Sequence, residues 1–345
     1  MDGIDQHDID ERDIDEHGTR TKLVVGLGEL LWDMLPEGRQ LGGAPANFAV
    51  MSARLGNRAA VLSRIGRDPL GRDAIDTLKS FPIDLSHVQV DEHHRTGTVS
   101  VTLTNGQPSY VIEQPAAWDF LEFSADWQQI ASRTDAVCFG TLAQRGRDSQ
   151  QTIQDFLAAT SPECVRVFDV NLREPFYSPE VVEESMEFAT ILKMNDGEVA
   201  EVLRLLDLED NAGNDGDDSG DGLVGDASGG SLASDYLTAA ATLLLSEFPL
   251  QLVCITRGAR GSILRTREAT HLHPGLATTV ADTIGAGDAF TAALTRYYLE
   301  GAPLPVLNEA GNRWGAWVAS QPGAMPPLSE ATAAALEAQI ARAAG

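Results

Sequence analysis

The chain has 345 residues, of which 51 are acidic and 25 are lysine or arginine, so its formal net charge is −26. This length suffices for one large α/β domain or two smaller ones. Because so acidic a chain is repelled by nucleic acids and by anionic membranes, we expect neither as a partner.

Neither the apolar runs nor the cysteines indicate a secreted or membrane protein. No run of 18 or more apolar residues is present, and the first residues are acidic rather than apolar, which predicts a cytoplasmic protein without a signal segment. The three cysteines lie in apolar runs without Cys-x-x-Cys spacing. This pattern predicts buried free thiols rather than a metal cluster or disulfides.

Two segments carry much of the acidic charge. Residues 1–20 contain eight acidic residues and two arginines, and residues 207–235 contain nine acidic residues and no base. Chains of such polar composition cannot bury enough apolar surface to fold. We therefore predict a disordered acidic tail over 1–21, a flexible insertion over 207–235, and one folded domain over 22–343.

The first predicted strand is the apolar run at 23–28, and Asp33 lies where it runs out, at the place where open α/β sheets position ligand groups. Gly42 and Gly43 then lead into a predicted helix. Two glycines let the backbone approach a ligand closely, and Asn47 offers a donor and an acceptor for hydroxyl groups. A tight turn followed by a helix-start asparagine is the alternative interpretation.

The next part of the chain predicts a strand at 60–66, a helix at 69–78 and then a β-hairpin. Residues 96–103 alternate polar and apolar side chains, and Asn-Gly, a typical hairpin turn, follows at 105–106. Residues 109–112 are predicted to form the second strand of the hairpin. This small β-ribbon stands apart from the strand–helix repeat. It would serve as a lid over a site or as a dimer contact.

From about residue 126 apolar strands alternate with amphipathic helices, which predicts a doubly wound parallel sheet. The strands are expected at 136–139, 165–170, 190–194 and 250–256, with shorter ones at 262–265 and around 271. Helices are expected at 149–159, 179–188, 196–206, 235–247, 305–319 and 329–343.

Polar side chains follow two of these strands. Asp169 and Arg173 come after one strand, and Lys193, Asn195 and Glu198 come at the end of the next. An amide and a carboxylate three residues apart at a helix start can share one face and hold Mg²⁺ through waters. A helix-capping asparagine with a capping-box glutamate is the alternative interpretation.

Gly285, Ala286 and Gly287 form a turn at the start of a helix, because apolar side chains recur after them at three and four residues. The unpaired amides of a helix start carry partial positive charge and bind phosphate. Asp288 lies beside them, where a carboxylate can take a proton from a hydroxyl that attacks the phosphate. The alternative is a glycine-rich helix start in which Asp288 only interacts favourably with the positive end of the helix dipole. A Walker A loop is excluded, because no lysine follows a glycine.

Three motifs in this order resemble those of the ribokinase-like (PfkB family) carbohydrate kinases. They are Gly42-Gly43-x-x-x-Asn47, Asn195-x-x-Glu198, and Asp-Thr-Ile-Gly-Ala-Gly-Asp at 282–288. The resemblance covers roughly residues 22–343. It implies an α/β fold with a doubly wound, mostly parallel sheet flanked by helices. It also implies a small β-sheet lid, from about 29–41 and 93–121, through which many members form homodimers.

The resemblance further implies an ATP-dependent sugar kinase that uses Mg²⁺ and a monovalent cation such as K⁺. Asp288 would be the catalytic base, and the backbone of Gly285, Ala286 and Gly287 the anion hole. The sugar would be held by Asp33, Gly42, Gly43 and Asn47, with Asp169 and Arg173 between sugar and phosphate. Lys193, Asn195 and Glu198 would face the phosphates and Mg²⁺, while Thr256, Gly258 and Asn312 would line the nucleotide pocket. Asp282, with the backbone near Ser320 and Gly323, resembles the monovalent-cation site.

The choice of sugar rests on the early motifs, Gly-Glu-Leu-Leu-Trp-Asp at 28–33 and Gly-Gly-Ala-Pro-Ala-Asn at 42–47, which resemble the fructokinase branch. Ketodeoxygluconate kinases share much of this pattern, including the arginine at 173, and ribokinase is a further alternative. A nucleoside kinase would have a more apolar first pocket. A sugar-binding regulator without catalysis is the alternative of another class, and the intact Asp288 argues against it.

Overall fold

The computed structural model describes residues 21–35, 38–104, 107–209 and 230–343. In these ranges the strands are β1 (Leu23–Leu27), β2 (Leu31–Leu35), β3 (Gly38–Gly42), β4 (Arg58–Leu62), β5 (Arg64–Gly66), β6 (Gln89–Asp91), β7 (Gly97–Thr104), β8 (Gln107–Ile112), β9 (Ala136–Gly140), β10 (Val165–Asp169), β11 (Ile191–Asn195), β12 (Leu252–Thr256), β13 (Ser262–Arg265) and β14 (Thr270–His273). The helices are α1 (Ala44–Arg54), α2 (Pro69–Leu78), α3 (Ala125–Ala131), α4 (Arg147–Ala159), α5 (Pro179–Phe188), α6 (Val199–Leu205), α7 (Gly230–Glu247), α8 (Ala286–Leu299), α9 (Leu304–Ala319) and α10 (Glu330–Ala343).

The main sheet has eight strands in the order β14-β13-β12-β11-β10-β9-β1-β4. The pairs from β12 through β4 are parallel, and β13 and β14 extend the sheet with antiparallel pairs. Strands such as β1 are buried along their whole length, as expected when helices cover both faces of a parallel sheet. The predicted doubly wound, mostly parallel sheet is confirmed.

Two apolar layers enclose this sheet. On one face α1, α8 and α9 pack against it through side chains such as Phe48, Phe290 and Trp314. On the other face α4, α5, α6 and α7 contribute residues such as Phe156 and Leu244. Because the helices occupy both faces, polar ligands can reach the strands only at the ends of the sheet.

A separate sheet of four strands has the order β3-β2-β7-β8. It corresponds to the β-ribbon expected from the alternating pattern, joined by the strands that follow β1. The Asn-Gly pair at 105–106, where a turn between β7 and β8 is predicted, lies outside the described residues. So do the predicted tail over 1–20 and residues 210–229 of the predicted insertion.

Two boundaries differ from the sequence prediction by more than three residues. The strand expected at 60–66 is two strands, because after Leu62 the chain leaves the main sheet and β5 pairs in parallel with β6. A continuous apolar run does not reveal this change of pairing partner. The helix expected from 235 begins at Gly230, five residues before the predicted end of the insertion. Glycine and serine in its first turn hide the helical pattern there.

The cysteines are buried free thiols, as predicted. None of the helices within the described ranges is long and apolar enough to cross a membrane.

Replacement of Phe139 tests the packing of the main sheet. Phe139 in β9 is 1% exposed and stacks on Phe168 with 5.3 Å between ring centroids. We expect Phe139→Ala to lower the free energy of unfolding by about 3–5 kcal/mol, because it leaves a cavity between buried rings. Val90→Ala, at a side chain that is 47% exposed, is the control and should change it by less than about 1 kcal/mol. Equal effects in denaturant titrations would contradict the assigned core.

Candidate active site

The candidate site lies at the carboxyl edge of the main sheet, where parallel strands present their last residues together. Asp169 ends β10, Asn195 ends β11 and Thr256 ends β12, and each strand pairs with the next. The N-termini of α1 and α8 reach the same edge, because Asn47 in the first turn of α1 donates a hydrogen bond to Asp288 in the first turn of α8. The edge therefore combines carboxylates with two helix starts that carry partial positive charge.

The start of α8 requires glycine. Gly285 is the N-cap and has a left-handed φ of 77°, and a Cβ placed on it would lie 2.6 Å from the backbone of Ala324. A Cβ on Gly287 would lie 3.1 Å from Nζ of Lys193. The Ala286 amide donates a long bond of 3.3 Å to the Thr283 carbonyl. The next amides belong to the helix start, where no intrahelical acceptor is available.

Asp288 is the third residue of α8 and its side chain is partly buried. Its Oδ2 accepts a 2.7 Å hydrogen bond from Nδ2 of Asn47. Burial and the nearby Asp169 carboxylate raise the pKa of Asp288 to about 6, against the opposing effects of Asn47, Lys193 and Arg173. At neutral pH most molecules therefore carry an ionised Asp288 that can accept a proton.

Asn47 lies in the first turn of α1 and is 4% exposed. Its Oδ1 is buried and has no hydrogen-bond partner among the described residues. The turn before it is tight: a Cβ on Gly43, whose φ is 113°, would lie 2.4 Å from the Glu29 carbonyl oxygen. The side-chain nitrogen of Asn47 is thus held toward Asp288, and its Oδ1 is a buried acceptor without a partner among the described residues.

Asp33 in β2 lies beside this turn. A Cβ on Gly42 would lie 2.5 Å from Oδ2 of Asp33. Burial raises the pKa of Asp33, and the nearby Arg173 opposes the shift. Arg173 also interacts electrostatically with Asp288, so the predicted sugar-binding residues surround one place in the structure.

Asp169 and Lys193 form a buried ion pair with distances of 2.9 and 3.0 Å between Nζ and the two carboxylate oxygens. Burial alone would lower the pKa of Lys193, but the Asp169 carboxylate outweighs it and raises that pKa. The Thr291 hydroxyl lies 3.1 Å from Oδ2 of Asp169 and 2.9 Å from the Gly287 carbonyl oxygen. Lys193 is thereby fixed beside the first turn of α8.

Asn195 and Glu198 form a reciprocal capping arrangement. The backbone amide of Asn195 donates to Oε2 of Glu198 at 2.8 Å, and the backbone amide of Glu198 donates to Oδ1 of Asn195 at 3.1 Å. The Leu172 amide donates to Oε1 of Glu198 at 2.9 Å. The capping alternative is therefore present in the structure, and it is compatible with Mg²⁺ held through waters, because each oxygen keeps a second lone pair.

The chemistry of these two residues fits a hydrated cation. Burial raises the pKa of Glu198, so its negative charge is not fully compensated by the amides. Among the described residues no group of three or more His, Cys, Asp or Glu side chains could hold a metal directly. A Mg²⁺ ion at Asn195 and Glu198 would thus need water and phosphate oxygens as its remaining ligands.

Asp282 connects the loop before α8 to the segment after α9. Its Oδ1 accepts from the Ile284 amide at 3.0 Å, and its Oδ2 accepts from the Gly323 amide at 3.1 Å. The Asp282 amide donates to the Ala319 carbonyl at 3.3 Å, next to Ser320. The structure therefore brings together the residues predicted for a monovalent cation.

The residues predicted for the nucleotide are only partly brought together. Gly258 is exposed, with a φ of 56°, and no other part of the protein lies within 4 Å of the place where a Cβ would be. Asn312 in α9 is buried, and its Nδ2 donates to Ser262 Oγ at 2.7 Å and to the Asn308 carbonyl at 2.8 Å. Since Ser262 pairs with Thr256, Asn312 lies one strand away from the β12 end.

Sequence reasoning missed two residues of this site, Glu29 and Thr291. Glu29 follows β1, is 4% exposed and interacts electrostatically with Asp288. An acidic side chain directly after a buried strand was the available signal for it. The Thr291 hydroxyl four residues after Gly287 was the available signal for the second, because that spacing places both on one face of the helix.

The fold is that of the ribokinase-like sugar kinases. A sugar kinase of Pyrococcus horikoshii matches the structure with a TM-score of 0.73 and 27% identity, over 94% of this chain and 99% of that chain. Fructokinase of Vibrio cholerae O395, in a form with bound fructose, ADP and calcium ion, matches with a TM-score of 0.67 and 26% identity, over 92% and 98%. The fold class expected from the motifs is thus confirmed.

The chain belongs to the pfkB family of carbohydrate kinases, because the sequence model of that family matches residues 37–331. Among its relatives, the fructokinase of Escherichia coli is 28% identical over 327 residues, which cover 88% of this chain and 94% of that protein. The fructokinase of Salmonella typhimurium is 30% identical over 282 residues, covering 78% and 81%. The protein is therefore a sugar kinase, as the resemblance implied.

Replacement of Gly285 tests the helix start. We expect Gly285→Ala to lower kcat/KM by about 100-fold or more, because the Cβ would displace the amides that face a phosphate. Gly301→Ala is the matched control: its φ is 73° and nothing lies within 4 Å of its Cβ position. It should cost about 1–2 kcal/mol of stability from the left-handed backbone and leave steady-state kinetics unchanged. Indistinguishable kinetics of the two variants would show that the helix start is not used.

Proposed function

We propose that the protein is an ATP-dependent fructokinase, which transfers the γ-phosphate of ATP to a hydroxyl of fructose. The observation that supports this most is the position of Asp288, held by Asn47 at the amide-bearing start of α8. The fructokinase names of its relatives in Escherichia coli and Salmonella typhimurium support the choice of sugar.

In the proposed reaction Asp288 takes the proton of the attacking hydroxyl. The hydroxyl oxygen then forms a bond to the γ-phosphorus while the bond to the β-phosphate oxygen breaks, which leaves ADP. The amides at Gly285, Ala286 and Gly287 would stabilise the charge on the phosphoryl oxygens in transit. Lys193 lies next to these amides and would contribute a positive charge at the same place.

The sugar would lie against the turn between β3 and α1. The unpaired Oδ1 of Asn47 can accept a hydroxyl hydrogen, and the Asp33 carboxylate can accept another. The absence of side chains at Gly42 and Gly43 lets Asp33 and the Glu29 backbone pack against this turn. Asp169 and Arg173 would lie between sugar and phosphate, with Asp169 acting mainly through Lys193, since the ion pair occupies both of its oxygens.

We further propose that ATP lies along the ends of β11 and β12, near Thr256, Gly258 and Asn312. Similar proteins solved with bound ATP or ADP support nucleotide binding. Asn195 and Glu198 would hold Mg²⁺ through water, where it would neutralise charge between the phosphates. Asp282 would hold a monovalent cation such as K⁺ near the start of α8.

The small sheet β3-β2-β7-β8 is proposed as the lid of the site and as the contact of a homodimer. Its strand β3 leads directly into the sugar-binding turn, and Met34 and Val111 expose apolar surface on it. A cytoplasmic location remains a prediction from the sequence.

Two alternatives keep the same fold. A 2-keto-3-deoxygluconate kinase or a ribokinase would use the same base and helix start with another sugar. A regulator that binds sugar without catalysis would not need the proton acceptor, and the Asn47–Asp288 hydrogen bond favours the kinase.

Replacement of Asp288 tests the base. We expect Asp288→Asn to lower kcat by about 100-fold to 10,000-fold, because an amide cannot accept the proton, while the sugar Kd changes only a few-fold. Glu300→Gln, at the other end of α8, is the control and should behave as the unaltered protein. Both values can be measured by coupled ADP release and calorimetry. An Asp288→Asn variant with near-normal kcat would remove Asp288 from the base role.

A substrate panel tests the sugar. We expect ADP release with Mg²⁺, K⁺ and fructose to exceed that with ribose, glucose, ketodeoxygluconate, fructose 6-phosphate or adenosine, in low or in high salt. The reason is that Asp33 and Asn47 offer polar contacts typical of the fructokinase branch. A preference for ketodeoxygluconate or ribose would replace fructose as the proposed substrate and leave the proposed mechanism unchanged. Sugar binding without any ADP release would favour the regulator.

A further inference from the structure

Glu29 is a buried carboxyl group behind the proposed sugar-binding turn. It follows β1, which lies between β4 and β9 in the main sheet. Its Oε1 accepts a hydrogen bond from the Ala44 amide at 3.3 Å, and its Oε2 is buried without a hydrogen-bond partner among the described residues. Neither oxygen faces open solvent, so the group is built into the fold rather than placed on its surface.

The contact with Ala44 supplies a missing cap. Ala44 is the first residue of α1, and the N-cap of that helix is Gly43, which has no side chain to offer its amides. Glu29 therefore provides from another element the acceptor that a Ser, Asp or Asn usually provides at an N-cap. A carboxylate at this position also complements the positive end of the helix dipole.

The capped turn is the one that orients the proposed base. Asn47 lies three residues after Ala44, and its Nδ2 holds Oδ2 of Asp288 at 2.7 Å. The Gly43 backbone packs so closely on the Glu29 carbonyl that no Cβ fits between them. A displacement of the Glu29 carboxyl group would therefore move the first turn of α1 and, with it, the amide that fixes Asp288.

A small enclosed cavity adjoins Glu29. It has a volume of about 10 Å³ and is lined by Glu29, Thr141, Asp169, Asn171 and neighbouring backbone. This volume holds about one water molecule.

The charged groups around Glu29 make its ionisation costly. Burial and, to a smaller extent, the negative charge of Asp288 raise the pKa of Glu29 to about 7, against the opposing effects of its own backbone amide, the Ala44 amide and Arg173. Asp288 in turn faces Asp169, Lys193 and Arg173. Burial also raises the pKa of the adjacent Cys138 thiol, which stays neutral. Glu29, with a pKa of about 7, and Asp288, with a pKa of about 6, are therefore the two groups of this cluster that change charge near neutral pH.

We propose that Glu29 is a positioning residue of the phosphoryl-transfer site, which holds the first turn of α1 so that Asn47 can bind the sugar and orient Asp288, and which holds it more tightly when ionised. The proposal rests on the proposed function only in its assignment of the sugar to Asn47 and of the base role to Asp288. Ionisation strengthens the hold because a carboxylate is a better acceptor than a carboxylic acid and interacts with the helix dipole.

The experiment measures the fructose Kd by calorimetry between pH 6 and 8, together with kcat, for the intact protein, Glu29→Gln and Glu29→Ala. We expect the Kd of the intact protein to fall about threefold as Glu29 ionises with rising pH. Glu29→Gln keeps an acceptor for Ala44 but has no charge, so its Kd should lack the change around pH 7 and retain only what the ionisation of Asp288 near pH 6 contributes. Glu29→Ala lacks the acceptor, and its Kd should be about tenfold higher. Glu92→Gln, at an exposed side chain, is the matched control.

The outcomes separate this inference from the proposed function. A flat Kd in the intact protein, or the same pH dependence in Glu29→Gln, would overturn it. A loss of kcat in Glu29→Gln as complete as in Asp288→Asn would also overturn it, because a positioning residue is not the proton acceptor. A Kd that depends on pH through Glu29, without phosphate transfer to any sugar of the panel, would support the hold of Glu29 on Asn47 and reject both the fructokinase proposal and the orientation of Asp288 as a base. Because glutamine is isosteric, the test holds even where Glu29→Ala fails to fold.

Discussion

An excess of buried negative charge at the carboxyl edge of the sheet is the constraint on which this site depends. Among the described residues, the carboxyl groups of Glu29, Asp169, Glu198 and Asp288 interact here, and Lys193 and Arg173 are the cations that face them. Isolated buried charges are strongly unfavourable. The Asp169–Lys193 ion pair compensates the charge of Asp169. The other carboxyl groups depend on backbone amides and on raised pKa values.

The N-termini of α1 and α8 carry partial positive charge and partly compensate this negative charge. α1 and α8 direct the positive ends of their dipoles toward the same carboxyl groups. Glycine at each start allows close packing on neighbouring residues, of Gly43 on Glu29 and of Gly285 on Ala324. Each helix then contributes one side chain to a shared hydrogen bond, Asn47 to Asp288. A phosphate that binds here therefore meets amides and Lys193 first, with the carboxylates already held by their own partners.

The sequence predicts the regular parts of this arrangement and not the contacts that cross between elements. Gly285 and Asp288 are readable because a glycine turn and a 3.6-residue apolar period lie side by side. Asn195 and Glu198 could be placed at a helix start, and the structure contains the capping arrangement that their spacing allows. The cap that Glu29 gives to Ala44 joins residues from different elements, and the break at Ser63 depends on which strand pairs with which. No local pattern encodes either.

The hydrogen bond between Asn47 and Asp288 spans 241 positions of the chain. Because α1 packs on α8 through Phe48, Met51 and Phe290, one apolar face of an early helix is covered only by a late one. Such long-range contacts give a high contact order and slow folding. During synthesis the ribosome must therefore release nearly the whole chain before this face is covered, and until then it is open to chaperones or to aggregation.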